Sequence, residues 1–264
     1  MTDTARRSGP FPPGTFRPDP GPARAAGMVR AAAAAELRIQ LRNGEQLLLA
    51  LVIPLAVLLG MTYLTVVDLP TPRVDAVVPG VITLAVMSSA FTAQAISTAF
   101  DRRYGVLKRL AAAGMSRTLL IAGKCVTVAA VVLGQLVVLG IVAVLIGWRP
   151  GAAALWAVPV VVLGGVAFTG LGLLLGGTLR AEAVLALANV LWFVMLVLGG
   201  VLVPLTSASG WLQVLGGATP AGALSEALRA VLQDGRVPGP WSLAVLVLWA
   251  LLGWFGTVRW FRWL

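Results

Sequence analysis

Histidine is absent from this chain and cysteine occurs once, at Cys125. An internal disulfide is therefore impossible, and a His/Cys metal site has no ligands to draw on. Charge is scarce as well: Asp, Glu, Lys and Arg make up only 11% of the 264 residues. The acidic residues Asp3, Asp19, Glu36, Glu45, Asp68, Asp75, Asp101, Glu182, Glu226 and Asp234 fall outside the long apolar runs or at their edges. A carrier driven by protons or sodium needs an acidic group in mid-membrane to titrate or to hold the ion, so that class is disfavoured. Paired carboxylates within a run, or a nucleophile beside a base, are also missing, which argues against an enzyme. Ala122-Gly123-Lys124-Cys125 resembles the end of a phosphate-binding loop, but Thr118 stands where that loop needs glycine and Cys125 where it needs Ser or Thr. Lys124 reads instead as an anchor at a span end, its stem in lipid and its amine in water. No cofactor and no metal is expected on this chain.

What the chain has is apolar surface. Hydrophobic residues are 59% of the total and the mean hydropathy is +0.93, outside the range of soluble domains. The fold class expected is an all-α membrane protein. Its net charge of +10 gathers in the N-terminal tail and at the ends of apolar runs, so the expected partner of that charge is anionic lipid of the inner leaflet rather than nucleic acid.

Residues 1–27 carry six prolines and no apolar core of a signal peptide; a disordered cytoplasmic tail is expected. Over 28–45, Arg38, Arg42 and Glu45 alternate with Leu37, Leu41 and Leu48 at helical spacing. This reads as an amphipathic helix lying on the membrane surface, or as a solvated helix belonging to the tail. Six spans follow at about 46–67, 76–100, 125–148, 151–179, 183–204 and 241–258, each long enough at 1.5 Å per residue to cross a core about 30 Å thick. Pro54 lies within the first. Between the fifth and sixth, residues 211–235 show short helical pieces, either a partly inserted hairpin or a helix resting on the surface.

This layout puts sixteen of the twenty Lys and Arg on one side, leaving Arg73, Arg149, Arg229 and Arg236 on the other. The positive-inside rule then places both termini and the 101–124 segment in the cytoplasm. No inverted repeat of the kind common in secondary transporters is visible.

The segment after the second span concentrates the charge: Asp101-Arg102-Arg103-Tyr104-Gly105-Val106-Leu107-Lys108-Arg109-Leu110. Leu107, Leu110 and Ala111 fall on one face of a short helix with the cations mostly away from it; Gly114 is placed to end it and Ser116 to cap the next. Such a helix suits a soluble motor's grip, though the charges also satisfy the positive-inside rule alone. On the second span Gln94, and on the fifth Asn189, sit at similar depth, where their amides suit a substrate or a bond between helices. Gly170, Gly172 and Gly176 on the fourth span read as close packing.

The acidic-basic-x-x-Gly-x-x-basic-x-Leu order of residues 101–110, together with Gly114-Met115-Ser116-Arg117, Gly123-Lys124, Thr219-Pro220 and Glu226-Ala227-Leu228-Arg229, resembles the permease subunits of type-2 ATP-binding-cassette exporters, especially the daunorubicin/doxorubicin-resistance group. The chain departs from it with Asp101 where many relatives have Glu, and Ala113-Gly114 where many have Pro. The resemblance implies a multi-pass permease of a bacterial plasma membrane that forms a homodimer and pairs with two copies of a separate ATPase, which would bring the ATP and Mg. It implies that Asp101, Arg102, Arg103, Gly105, Leu107, Lys108, Arg109 and Leu110 form the coupling helix, and that the second and fifth spans line the route, here with Met87, Ser88, Phe91, Thr92 and Gln94, and Asn189, Trp192 and Phe193. The cargo expected is an apolar or amphipathic compound; a scaffold subunit and an ion-driven carrier are the alternatives.

Overall fold

A computed structural model describes residues 24–42, 44–65, 68–204 and 209–261. Among these the chain is helical, without strands. Most of the Pro-rich tail and the end of the C-terminal Arg/Trp cluster lie outside the described residues.

Helix α1 (Ala25–Arg42) leads into α2 (Gly44–Tyr63), which contains Pro54. Then α3 (Arg73–Val86), π-helical turns at Met87–Ala93 and α4 (Gln94–Arg103) follow one another without a break. The short α5 (Val106–Ala112) precedes the long α6 (Arg117–Leu145). A 3-10 turn (Ala152–Trp156) opens α7 (Ala157–Thr178), and α8 (Ala181–Leu198) follows. A helical pair, α9 (Gly210–Ala218) and α10 (Pro220–Leu232), comes before α11 (Pro240–Trp260).

Five helical segments are long and apolar enough to cross a membrane: Arg73–Arg103, Arg117–Leu145, Ala152–Thr178, Ala181–Leu198 and Pro240–Trp260; the described apolar part of α2, Ala50–Tyr63, is shorter. Several boundaries differ from the expected runs. The helix expected from residue 125 begins at Arg117, because the Ser116 hydroxyl caps it by accepting from the Leu119 N–H at 3.3 Å. The run expected to reach 204 stays helical only to Leu198, where Gly200 at φ 56° ends it.

Contacts fix the directions of the helices. Gly172 lies against the Ala90 and Phe91 carbonyls and Gly176 against Ala95 and Thr98, so α7 runs parallel to the π turns and α4. Thr257 donates to the Gly170 carbonyl at 2.9 Å and Gly177 abuts Phe261, so α11 runs parallel to α7. Helix α6 runs the other way, with Lys124 near Asp101 and Gln135 near Ser89. So does α8, with Glu182 at Arg103 and Trp192 at Ser88. The expected role of Gly170, Gly172 and Gly176 is met: a Cβ on Gly176 would fall 2.4 Å from the Ala95 carbonyl oxygen, inside any permitted contact.

The core runs through α3, the π turns and α10. The most apolar 18 residues of the Arg73–Arg103 helix are 83% buried, against 17% for Ala181–Leu198; the first is central and the second peripheral. Helix α10 is buried along most of its length, packed against α3, α7 and α11. Thr219 caps it through the Gly222 N–H at 3.0 Å with Pro220 in the first turn. Its buried Arg229 donates to the carbonyls of Gly200 and Val201 at 2.7 and 2.9 Å, satisfying the acceptors left where α8 stops. Burial pulls the Arg229 pKa below its ordinary value, with Glu226 and Asp234 opposing.

Helix α1 is not a solvated tail helix, since it packs along α6. Its buried edge is Ala33, which sits by Gly123 and accepts from Thr127 through its carbonyl. Of the expected leucine stripe, Leu37 is half-buried and Leu41 exposed, while the Leu48 side chain lies outside the described residues.

Candidate functional site

The expected coupling segment proves to be two elements at one end of the bundle. Asp101, Arg102 and Arg103 close α4, where cations oppose the negative end of the helix dipole. Tyr104 and Gly105 form a turn that needs φ 69° at Gly105, a value glycine reaches without strain. Only Leu107, Lys108, Arg109 and Leu110 of the remaining site residues lie on α5 itself.

Leu107 is fully buried and packs with Leu120 of α6 and Phe261 at the end of α11, with Leu110 and Met115 at the margin. Lys108 and Arg109 face outward, as do Val106 and Tyr104. The positive φ of Gly114 then ends α5, as its sequence predicts. A seven-residue helix is too short to hold itself by backbone cooperativity, so the Leu107 contact ties it to two long helices at once.

The cations of α4, by contrast, are engaged within the chain. Arg102 donates to the carbonyls of Gly176 and Leu179 at 3.0 Å each, joining α4 to the end of α7. Arg103 pairs with Glu182 at the start of α8 and lies 5.9 and 6.0 Å from the Phe100 and Tyr104 ring centroids. The structure therefore does not gather residues 101–110 on one outward helix face.

Sequence reading missed what Asp101 does. Its carboxylate accepts from the Lys124 ammonium at 2.8 Å, and Glu36 of α1 accepts from the same ammonium at 2.8 Å. Lys124 is only 2% exposed, so it is not a snorkelling anchor. It ties α1, α4 and α6 together. The available signal was a lysine inside an apolar helix while Glu36 and Asp101 had no assigned partner.

The expected route residues divide. Met87, Phe91 and Gln94 are buried, Phe91 beside Phe168 with ring centroids 6.4 Å apart. Gln94 donates to Thr98 at 3.0 Å and Asn189 to the Leu185 carbonyl at 2.7 Å, so neither amide is spent on the other helix. At this depth the π turns and α6 supply the polar links between helices instead. Trp192 donates to Ser88 at 3.0 Å, while Ser89 donates to Gln135 at 2.8 Å and Gln135 in turn to the Ala50 carbonyl at 2.9 Å. Ser88 and Thr92 are half-buried, and Asn189 and Phe193 are exposed. A cavity of about 40 Å³ borders Gln94 and Ser89, far below the roughly 300 Å³ of an ordinary ligand pocket.

The arrangement is that of a membrane bundle with an outward cationic helix pinned at one end. Among the described residues no group of His, Cys, Asp and Glu is placed to hold a metal ion. A comparison with curated proteins finds no match. The family model described as ABC-2 type transporter matches residues 28–232, from α1 to the end of α10. With most of its length matched, the chain belongs to the ABC-2 type transporter family and is a membrane permease component of a transporter whose ATPase is a separate part.

Proposed function

We propose that this permease exports an apolar or amphipathic compound, drug-like or lipid-like, from the cytoplasm or inner leaflet, and belongs with the daunorubicin/doxorubicin-resistance-like group. It works as a homodimer with two copies of its ATPase. Six crossings, made by α2, α3–α4, α6, α7, α8 and α11, set both termini and α5 on the cytoplasmic side of a bacterial plasma membrane. The distribution of Lys and Arg, sixteen against four, supports that orientation.

One observation carries the coupling role. Helix α5 turns Lys108 and Arg109 outward while Leu107 is sealed against α6 and the end of α11. A force applied to that face reaches long helices through packed side chains rather than through a loop. When ATP closes the motor pair, the two α5 helices are drawn together and the helices joined to them tilt. The route opens along Ser88, Thr92, Asn189, Trp192 and Phe193, and Met87, Phe91 and Gln94 join it once α8 moves from the π turns.

The test is a proteoliposome assay on the permease purified with its ATPase. Compound-stimulated, vanadate-sensitive ATP turnover is expected in the native complex. It should be lost in the double variant Lys108→Glu, Arg109→Glu and in Gly105→Pro, since proline cannot take φ 69°. Transport that persists without any ATPase would refute the proposal and favour an ion-driven carrier.

A further inference from the structure

Between the end of α4 and the turn joining α7 to α8 lies a recess of about 260 Å³, lined by Ala99, Arg102, Arg103, Leu179, Arg180 and Glu182 among others. Three arginines and one glutamate are among its lining residues. Arg102 is fixed by the Gly176 and Leu179 carbonyls, and Arg103 by Glu182 and two aromatic rings, so neither charge is free to swing away. Arg180 is exposed and makes no ion pair among the described residues. Ala181 also lines the recess, at the start of an 18-residue helix whose first turn has no side-chain cap; that end adds positive potential.

The surroundings are apolar on one side. Beyond this recess α8 exposes apolar side chains around much of its circumference, Leu185, Leu187, Val190 and Val194 among them. A ligand that meets both features has an anionic head and a hydrocarbon body, and guanidiniums favour phosphate because their forked donors match its oxygens.

We propose that this recess binds the phosphate of an anionic phospholipid, with the acyl chains lying along α8. Occupancy ties the start of α8 to the end of α4, so the lipid braces the junction between the peripheral helix and the central one. The proposal rests on the reading that this end of the bundle meets a membrane face, but its test needs neither transport nor an ATPase. A failed lipid assay leaves the coupling role standing, and a failed coupling assay leaves the lipid site standing.

The experiment uses the full chain in a non-ionic detergent, incubated with phosphatidylglycerol or phosphatidylcholine, with retained lipid counted by native mass spectrometry. Phosphatidylglycerol should be retained in preference to phosphatidylcholine. Arg180→Gln should lower its apparent affinity about fivefold, the effect of about one interfacial cation, while Arg149→Gln at the opposite end should not change it. Glu182→Gln, which removes the opposing carboxylate, should raise it, a gain that misfolding does not produce. Equal retention by native protein, Arg180→Gln and Glu182→Gln would overturn the proposal. Displacement of phosphatidylglycerol by equimolar glycerol phosphate would overturn it too, assigning the recess to a soluble phosphate ester.

Discussion

Lys124 sets the energetics at the scale of single residues. A buried ammonium between two carboxylates recovers its desolvation cost only while both partners stay in place. Replacing Lys124 with Met leaves Glu36 and Asp101 facing each other at the edge of an apolar core. A loss of about 3 kcal/mol is expected, read as a lowered thermal midpoint in detergent. Adding Glu36→Gln and Asp101→Asn to that variant should restore most of the loss, because the stranded charges are gone. Gln135→Leu removes bonds to Ser89 and to the Ala50 carbonyl and should cost about 1 kcal/mol. The pairing itself was not legible along the chain: Lys124 lies 88 positions from Glu36 and 23 from Asp101, and a lysine near a helix end obeys the same local pattern whether it points to water or inward. The outward direction of Lys108 and Arg109 was legible, since Leu107 and its helical spacing fix the opposite face.

Among the elements, close approach of backbones decides the packing of α7. Gly176→Ala places a methyl 2.4 Å from the Ala95 oxygen, and the backbone there has no room to yield. The variant should lose about 2 kcal/mol, whereas Gly134→Ala on α6, which meets nothing within 4 Å, should leave the thermal midpoint unchanged or raise it. The Gly-x-x-x-Gly spacing announces this contact in the sequence, as Gly105, Gly114 and Ser116 announce the limits of α5 and α6. The π turns are different. Nothing in Met-Ser-Ser-Ala-Phe-Thr-Ala distinguishes them from α-helix, yet they carry the hydroxyls that bond to α8 and to Gln135 of α6, which in turn reaches α2. Helix α10 was ambiguous for a similar reason: an amphipathic period of polar Glu226 and Arg229 against Leu224, Leu228 and Val231 fits a membrane surface as well as a protein core. Gly199 and Gly200, by stopping α8, create the carbonyl acceptors that draw Arg229 inward.

For the whole molecule, composition and charge asymmetry fixed the class, and the burial contrast between the central Arg73–Arg103 helix and peripheral α8 came only from the fold. The orientation proposed here makes a direct prediction in a Cys125→Ser background. Ala113→Cys, in the exposed turn after α5, should react with an impermeant maleimide only from the cytoplasmic side, and Val237→Cys, exposed before α11, only from outside. Labelling of both from one side would refute the six-crossing layout. The central claim is that a separate ATPase grips α5, and the most direct measurement is a photo-crosslink from position 108 in native membranes. The account predicts an adduct with a nucleotide-hydrolysing protein from Lys108 and none from the same probe at Val237. An ATPase captured from Val237 but not from Lys108 would contradict it.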